Sequence, residues 1–577
     1  MNVGTLIAER LRVRENQLFL ALTIIIGVIA GLAAVLFTLA IEAVRHALFG
    51  MSPSQMRLVL VPTLVSLVTG VLLAKYFRDA RGSGVPQTEA AYHLNQGFIP
   101  AKTVLGKFLT GALCVGSGHS LGREGPSVQI GGGIASVVGR WLNLSPARTQ
   151  ELVSVGAAAA LSAAFNTPLA AVLFALEEII GDMNAAVIGS TVVASVSAVI
   201  VERSILGNEV LFRVPQYHLA HPLELLAYAV LGVAGGLISL LFCKGLLRLR
   251  AFFLSLPRST RALQPAMGGL LIGGILLFFP QVMGVGYEYV DQALNGSMPL
   301  KIMVLLCAVK LVATIISYSS GNAGGIFAPA LYLGAMAGGA FGVVVHRYAP
   351  FPTGDVGAYA LVGMGALFAG IIRAPMTSVL MIFELTQDYQ IVIALMVANM
   401  TSYAISRKYQ PKPIYHALLE QDHVHLPEPE VRLAVGVWRA KDLMSREFTL
   451  YPDQASFQEI WQAAQPGRAE CFLVGHDGAL QGLVPREVVE RAIQSGRGSE
   501  RVASAVIGDW PYAHPDYPLD LTLERFGRSP GVLPVLSRTD SSRLVGIINR
   551  DCWLKILGQP HRSVETPSAP KRFSDSG

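Results

Sequence analysis

Eight stretches of this chain carry no Asp, Glu, Lys or Arg: Asn16–Ile41, Leu58–Ala74, Leu152–Leu176, Asn184–Val201, Leu225–Cys243, Ala262–Tyr287, Leu311–His346 and Tyr389–Ser406. A bilayer core takes roughly 20 apolar residues per helix, so most of these can cross it with modest tilt. Charged residues make up 15% of the chain, where soluble domains run near 25%. The reading is a polytopic membrane part over residues 17–425, after a short cytoplasmic segment at residues 1–16. The first stretch is too long for a signal-peptide core and no small-residue cleavage site follows it, so it is expected to be retained as a span. Arg10, Arg12 and Arg14 precede it, Lys75, Arg78 and Arg81 follow the second span, and Lys244, Arg248, Arg250, Arg258 and Arg261 form another basic loop. All three clusters read as cytoplasmic. The net charge of +6 is therefore topological information, and nucleic acid is not expected as a partner. The five cysteines are scattered without a Cys-x-x-Cys, which suggests neither disulfides nor zinc.

The membrane part contains an internal repeat. Val155-Gly156, Asn166-Thr167-Pro168 and Glu177 recur as Val362-Gly363, Arg373-Ala374-Pro375 and Glu384, each 207 positions later. Upstream, Pro126 and Gly131 recur as Pro329 and Gly334, 203 positions later. The halves fall at about residues 17–205 and 222–421. Duplicated transporter halves commonly lie in opposite membrane orientation and meet at a midplane site built from broken helices. The breaks are legible: Gly321-Asn322-Ala323-Gly324-Gly325-Ile326-Phe327-Ala328-Pro329 reads as a non-helical lead-in to a helix beginning at Pro329, and Gly122-Arg123-Glu124-Gly125-Pro126 has the same grammar. Irregular backbone at membrane depth is tolerated only where it is buried in protein or lines a cavity.

Beyond about residue 425 the charges return, and residues 433–560 read as a mixed α/β module. Strands Cys471–Val474 and Leu480–Val484 lead to a helix at Arg486–Ile493; Val532–Leu536 and Leu544–Ile548 lead to Asp551–Leu557. Helical lead-ins at Ser456–Gln465 and Leu519–Phe526 make two equivalent units. The tail at 561–577, rich in Ser, Pro and charge, is expected to be disordered.

Glycine-rich helix starts are suited to one chemistry. The first N–H groups of a helix lack internal acceptors and carry the positive end of its dipole, so they bind an anion without a full positive charge. Conduction requires binding weak enough to release. Three such starts occur: Gly82-Ser83-Gly84-Val85-Pro86, the Glu124 segment and the Ile326-Phe327 segment. An ionisable residue at membrane depth is a functional candidate by default, and Ser or Tyr hydroxyls donate to a halide without adding net charge. Bland readings stand beside these: Glu124 as a carboxylate answering a helix dipole, Ser83 as a helix cap, and Tyr415 as an interfacial anchor. Arg123 reads as structural, Lys107 as a weak site candidate, and His119 as a packed histidine. No nucleophile–base pair or metal cluster stands out, which argues against an enzyme.

With Lys412-Pro413-Ile414-Tyr415 and Leu176-Glu177-Glu178 added, the three segments in this order resemble the CLC chloride channels and chloride/proton antiporters. The resemblance covers residues 17–421 and implies the all-α inverted-repeat fold with broken helices. It implies a homodimer in the cell (inner) membrane with one anion pathway per subunit, chloride and protons as substrates, and no cofactor. By matching position, Ser83 and Tyr415 hydroxyls with the Ile326 and Phe327 amides would hold the central anion. The amides around Gly122, Arg123 and Gly125 would frame the outer site, and Glu124 would be the gating glutamate. Glu178 occupies the position that carries glutamate in most proton-coupled members, which favours antiport over passive conduction; the plainer alternative is a helix-end carboxylate facing the cytoplasm. Ser83 favours chloride over nitrate, and Gln87 departs from a common glutamate. The C-terminal module resembles a cytoplasmic tandem CBS pair. Its frames Gly482-Leu483-Val484-Pro485-Arg486-Glu487-Val488 and Gly546-Ile547-Ile548-Asn549-Arg550-Asp551-Cys552 lack the hydroxyl residue and the terminal Asp of nucleotide-binding pairs, so weak or absent nucleotide binding is expected. The expectation is a chloride/proton antiporter, with a passive channel and a membrane-anchored sensor with a non-conducting pore as alternatives.

Overall fold

The computed structural model describes residues 3–50, 53–181, 185–207, 212, 219–386, 388–426, 438–463, 471–508, 510–517, 519–538, 540 and 542–557. The tail at 561–577 lies outside them. Two compact units divide at Leu426/Pro427.

The first unit is helical. Its elements are α1 (Val3–Phe49), α2 (Gln55–Lys75), α3 (Val85–Leu94), α4 (Ala101–Gly116), α5 (Glu124–Trp141), α6 (Pro146–Phe165), α7 (Pro168–Phe174), α8 (Ala185–Leu206), α9 (Glu224–Ser255) and α10 (Gln264–Phe278). They continue as α11 (Tyr287–Leu294), α12 (Leu300–Ser319), α13 (Phe327–Tyr348), α14 (Val356–Ile371), α15 (Pro375–Thr386), α16 (Val392–Tyr409) and α17 (Ile414–Gln421). Among the described residues, six helical segments are long and apolar enough to cross a membrane: Leu18–Phe49, Gln55–Lys75, Val187–Leu206, Glu224–Ser255, Leu300–Ser319 and Phe327–Tyr348. Helix α9 shows why such a surface belongs in lipid. Its Leu226, Val230, Val233, Leu237 and Leu241 are exposed at helical spacing, a stripe that only an apolar solvent tolerates.

Three charge-free stretches are broken rather than continuous. Leu152–Leu176 turns at Asn166, whose left-handed backbone (φ 58) ends α6. Ala262–Tyr287 stops at Phe278 and restarts at Tyr287, after Gly284 and Gly286 with φ of 55 and 76. Leu311–His346 breaks over residues 320–326, and α13 starts at Phe327, two residues before the expected Pro329. Proline is tolerated anywhere in a first turn, where its missing N–H has no acceptor to satisfy. The same holds in α5, where Pro126 follows the first residue Glu124 by two positions.

The repeat residues are the contacts that relate the halves. Helices α5 and α6 cross where a Cβ on Gly131 would strike Gly156 O; α13 and α14 cross where a Cβ on Gly334 would strike Gly363 O. Asn166 and its mate Arg373 both adopt left-handed backbone, at φ 58 and 78. Arginine is ill suited to that region, and its guanidinium is held by the carbonyls of Ser406, Gln410 and Pro411. Glu177 accepts from the N–H groups of Met376 (3.2 Å) and Thr377 (2.8 Å) at the start of α15. Its mate Glu384 accepts from Leu169 (2.9 Å) and Ala170 (2.7 Å) at the start of α7. Each half thus caps a helix of the other. At the centre, Gly122 and its mate Gly325 form an antiparallel pair, exchanging N–H···O bonds of 2.7 and 2.8 Å. Residues that pair antiparallel with their own repeat-mates lie about a local two-fold axis, as an inverted repeat requires.

The second unit has a three-stranded sheet of β1 (Leu450–Tyr451), β2 (Cys471–His476) and β3 (Ala479–Pro485), with β1 parallel to β2 and β2 antiparallel to β3. A second sheet pairs β4 (Val532–Leu536) with β5 (Leu544–Asn549), antiparallel. Helices Arg486–Gln494 and Arg550–Leu557 follow the respective hairpins. Leu473, Leu480 and Leu483 from one sheet pack with Val532, Leu536 and Leu544 from the other, so the two sheets share one core within this unit. The two-residue strand β1 has no counterpart in the sequence reading, because a run that short leaves no alternation to detect.

Replacing Glu384 by Ala strips the acceptor from two N–H groups of α7 and is expected to cost about 1–2 kcal/mol. Glu177→Ala should cost a similar amount at α15. Thermal unfolding of the detergent-purified protein checks both, and an unchanged melting temperature would show that the exchanged caps carry no stability.

Candidate functional site

Three backbone segments meet where their glycines leave no Cβ between them. Gly324 N–H donates to Gly82 O at 3.0 Å, beside the Gly122–Gly325 pair. A side chain on Gly125 would run into Ser83, and one on Gly84 (φ 112) would run into Gly125. Ser83 does not cap α3. That start is closed by Gln87, which accepts from Gly84 N–H at 2.8 Å and donates to Arg81 O at 3.3 Å. Ser83 is left facing inward, fully buried.

Tyr415, at the start of α17, is also fully buried, which sets aside the interfacial-anchor reading. Its hydroxyl approaches that of Ser83 without reaching hydrogen-bond geometry, and the charges of Glu178 and Glu124 act on it. Yet neither Ser83 Oγ nor Tyr415 Oη makes a hydrogen bond among the described residues. Buried hydroxyls are normally paired, and two donors converging on one place suit a shared halide acceptor. Phe327, the first residue of α13, is wedged between Phe165, Phe174 and Phe368, with ring centroids 4.9, 5.7 and 4.4 Å away. This packing fixes the start of α13, whose first N–H groups have no intrahelical acceptor. Ile326 and Phe327 are both buried there.

Glu124 is fully buried at the first position of α5. Its Oε1 accepts from the Tyr287 hydroxyl at 3.1 Å. The N–H groups of Glu124 and Ala328 lie near the carboxyl group, though its Oε2 makes no hydrogen bond among the described residues, so the group sits between the starts of α5 and α13. A Cβ on Gly122 would occupy the place of Glu124 Oε2; only glycine there lets the carboxylate fold back over its own helix start. Arg123 turns away: its guanidinium donates to Ala164 O at 3.1 Å and lies 5.9 Å from the Tyr287 ring centroid.

Glu178 lies in one turn of π-helix, Ala175–Ile180, that continues α7. Such single turns alter which way a side chain projects and recur at functional sites. The residue is buried, and the charges that act on it come from Glu89, Glu177 and Arg373. Beside Gly82 opens a cavity of about 490 Å³, lined by Arg78, Arg81, Arg250 and Arg261 against Asp79 and Asp422.

Sequence reasoning missed Tyr287 and the fourth helix start that carries it. The signal was present: Gly284-Val285-Gly286-Tyr287 stands 202 positions after Gly82-Ser83-Gly84-Val85. The lysines follow the same rule. Lys107 donates to Ala80 O (2.9 Å) and Gly82 O (2.7 Å), and Lys310, 203 positions later, to Val282 O (3.1 Å) and Gly284 O (2.6 Å). Each buried ammonium ties down the carbonyls of its own Gly-x-Gly turn, so Lys107 touches the site's backbone rather than its interior. His119 is packed between Ser66 (2.6 Å) and Ser317 (3.4 Å). No cluster of metal-ligating side chains occurs among the described residues.

Broken helices from two inverted halves, converging on a buried carboxylate and unpaired hydroxyls, define a membrane ion-transport protein. The family described as voltage gated chloride channel matches residues 65–407, and the chain belongs to this CLC family. An H(+)/Cl(-) exchange transporter ClcA of Vibrio campbellii is 31% identical over 69% of this chain and 88% of its own length. The crystal structure of a slow cyanobacterial Cl-/H+ antiporter superposes with a TM-score of 0.64 at 28% identity, over 70% of this chain and 97% of that one. A eukaryotic CLC transporter structure shares the fold at 18% identity and a TM-score of 0.61, over 92% of this chain and 97% of that one.

Tyr287→Phe removes one hydrogen bond to the Glu124 carboxylate, worth about 1.5 kcal/mol or roughly tenfold in occupancy. The carboxylate then competes less well with a halide. Isothermal titration of the purified variant with chloride should show affinity raised up to about tenfold; an unchanged isotherm would mean the hydroxyl does not hold the carboxylate in place.

Proposed function

We propose that the protein exchanges chloride for protons across the cell (inner) membrane. The observation that carries this reading is the pair of buried, unbonded hydroxyls of Ser83 and Tyr415 beside a carboxylate seated between two helix starts. Chloride would be held by those hydroxyls and the Ile326 and Phe327 amides, with Gly122, Arg123 and Gly125 amides framing an outer position. The Glu124 carboxylate competes for the outer position as an anion. Protonation removes its charge, so it can leave the helix starts and admit chloride. Glu178, buried and acting on the Tyr415 hydroxyl as Glu124 does, is the inner proton carrier. The cavity beside Gly82, where four arginines outnumber two aspartates, would gather chloride from the cytoplasm, since a net positive cleft raises the local concentration of anions. The names of the ClcA relative and the cyanobacterial antiporter support exchange rather than passive flow.

Family membership supports a homodimer with a pathway in each subunit, and the reading calls for no cofactor. The second unit is a cytoplasmic tandem CBS module in this proposal, with a role in assembly or gating. Val488 and Cys552 stand at the positions where nucleotide-binding pairs place Asp, and both pack into apolar clusters. The full chain is expected to show no saturable micromolar ATP binding by titration calorimetry.

Liposomes with an outward chloride gradient test the exchange. Proton movement driven uphill by chloride efflux is the expected result; chloride flux alone would make the protein a passive channel, and no flux a sensor. Glu178→Ala should keep chloride flux and lose proton pumping. Glu124→Ala should lose both coupling and the response of flux to pH. Proton pumping that persists in Glu178→Ala would remove that residue from the mechanism.

A further inference from the structure

Glu89 on α3 and His416 on α17 form a contact that the exchange reading does not use. Glu89 Oε1 and His416 Nε2 are 2.7 Å apart, with side chains 3% and 30% exposed respectively. One end of the pair is therefore dry and the other wet. The dry end approaches Glu178, on which Glu89 acts electrostatically together with Glu177 and Arg373. Helix α3 packs against both the π-helical turn that bears Glu178 and α17.

Glu177 caps α15 through Met376 and Thr377, and Arg373 is bonded to the carbonyls of Ser406, Gln410 and Pro411. Just before α17, Lys412 pairs with Glu420. Gln129 of α5 packs against Gly84 beside the start of α3, and Gln150 of α6 donates to Tyr92 O at 2.6 Å. Glu178 is also within reach of the Tyr415 hydroxyl.

From this arrangement we propose that Glu89 and His416 load protons from the cytoplasmic side onto Glu178. The inference rests on the exchange reading above. Imidazole exchanges protons near neutrality, and His416 has the solvent contact to do so. The imidazolium N–H gives its proton to the Glu89 carboxylate, forming an O–H bond and leaving neutral imidazole, which takes a proton from inner water. The Glu89 acid then gives its proton to the Glu178 carboxylate, directly or through one water, and returns to its charged form. Two carboxylates in one dry site repel, and a proton on either relieves that repulsion, so the proton passes between them without a large charge separation.

The test uses the full chain in liposomes, with coupled proton and chloride fluxes recorded between about pH 5 and 8. His416→Gln keeps a donor for Glu89 but cannot titrate in this range, and Glu89→Gln keeps the size of the side chain. Both variants should slow proton turnover by about tenfold or more, below the ~100-fold a positioned proton-transfer group supplies when its step is fully limiting. His416→Gln should also flatten the pH limb that belongs to the imidazole, a change a purely structural role would not produce. A wild type that pumps protons, with His416→Gln matching its rates and pH profile, overturns the relay alone. A wild type that moves chloride without protons overturns the exchange reading and the relay with it.

Discussion

The antiparallel pair between Gly122 and Gly325 is the interaction on which the remaining structure depends. Hydrocarbon offers no hydrogen bonds, so a chain that leaves helical geometry inside a membrane must find partners for its N–H and C=O groups within the protein. Here it finds them in its own repeat. Gly122 and Gly325 satisfy each other, Gly324 satisfies Gly82, and each Gly-x-Gly turn is tied by a buried lysine, Lys107 or Lys310. Side chains are excluded from this junction. A Cβ on Gly122, Gly84 or Gly125 would fall on Glu124, on Gly125 or on Ser83.

That junction produces the chemistry. Closing the irregular segments onto one another aims the starts of α5 and α13 at a shared place, and their free N–H groups make it favourable for an anion. A carboxylate, Glu124, is seated there. The unbonded hydroxyls of Ser83 and Tyr415 face inward beside it. Binding by dipoles and hydroxyls gives a site of moderate depth, compatible with release. The same two-fold logic gives the halves distinct parts to play. Glu124 and Phe327 are repeat-mates, both first residues of their helices; one brings the carboxylate, the other an aromatic anchor that fixes α13.

Stability and function are separated along the same repeat. Glu177 and Glu384 are mates that cap each other's halves, while Glu178, one residue on, is turned elsewhere by a π-helical turn. Both glutamates lie in that one turn, and as neighbours on it their side chains project in different directions.

The sequence by itself determined that this chain lives in a membrane, that it is duplicated, and where three of its four helix starts lie, because charge-free length, glycine–proline order and repeat spacing are local properties. It also determined the two strand–strand–helix units beyond residue 425. Tertiary structure alone decided what those residues meet. Tyr287 reaching Glu124, and Glu89 bridging His416 to the neighbourhood of Glu178, join positions far apart in the chain, and no local pattern encodes such contacts. The boundary of α13 shifted for a related reason: proline constrains a first turn without naming its first residue, and the pairing of Gly325 with Gly122 fixed where the helix could begin.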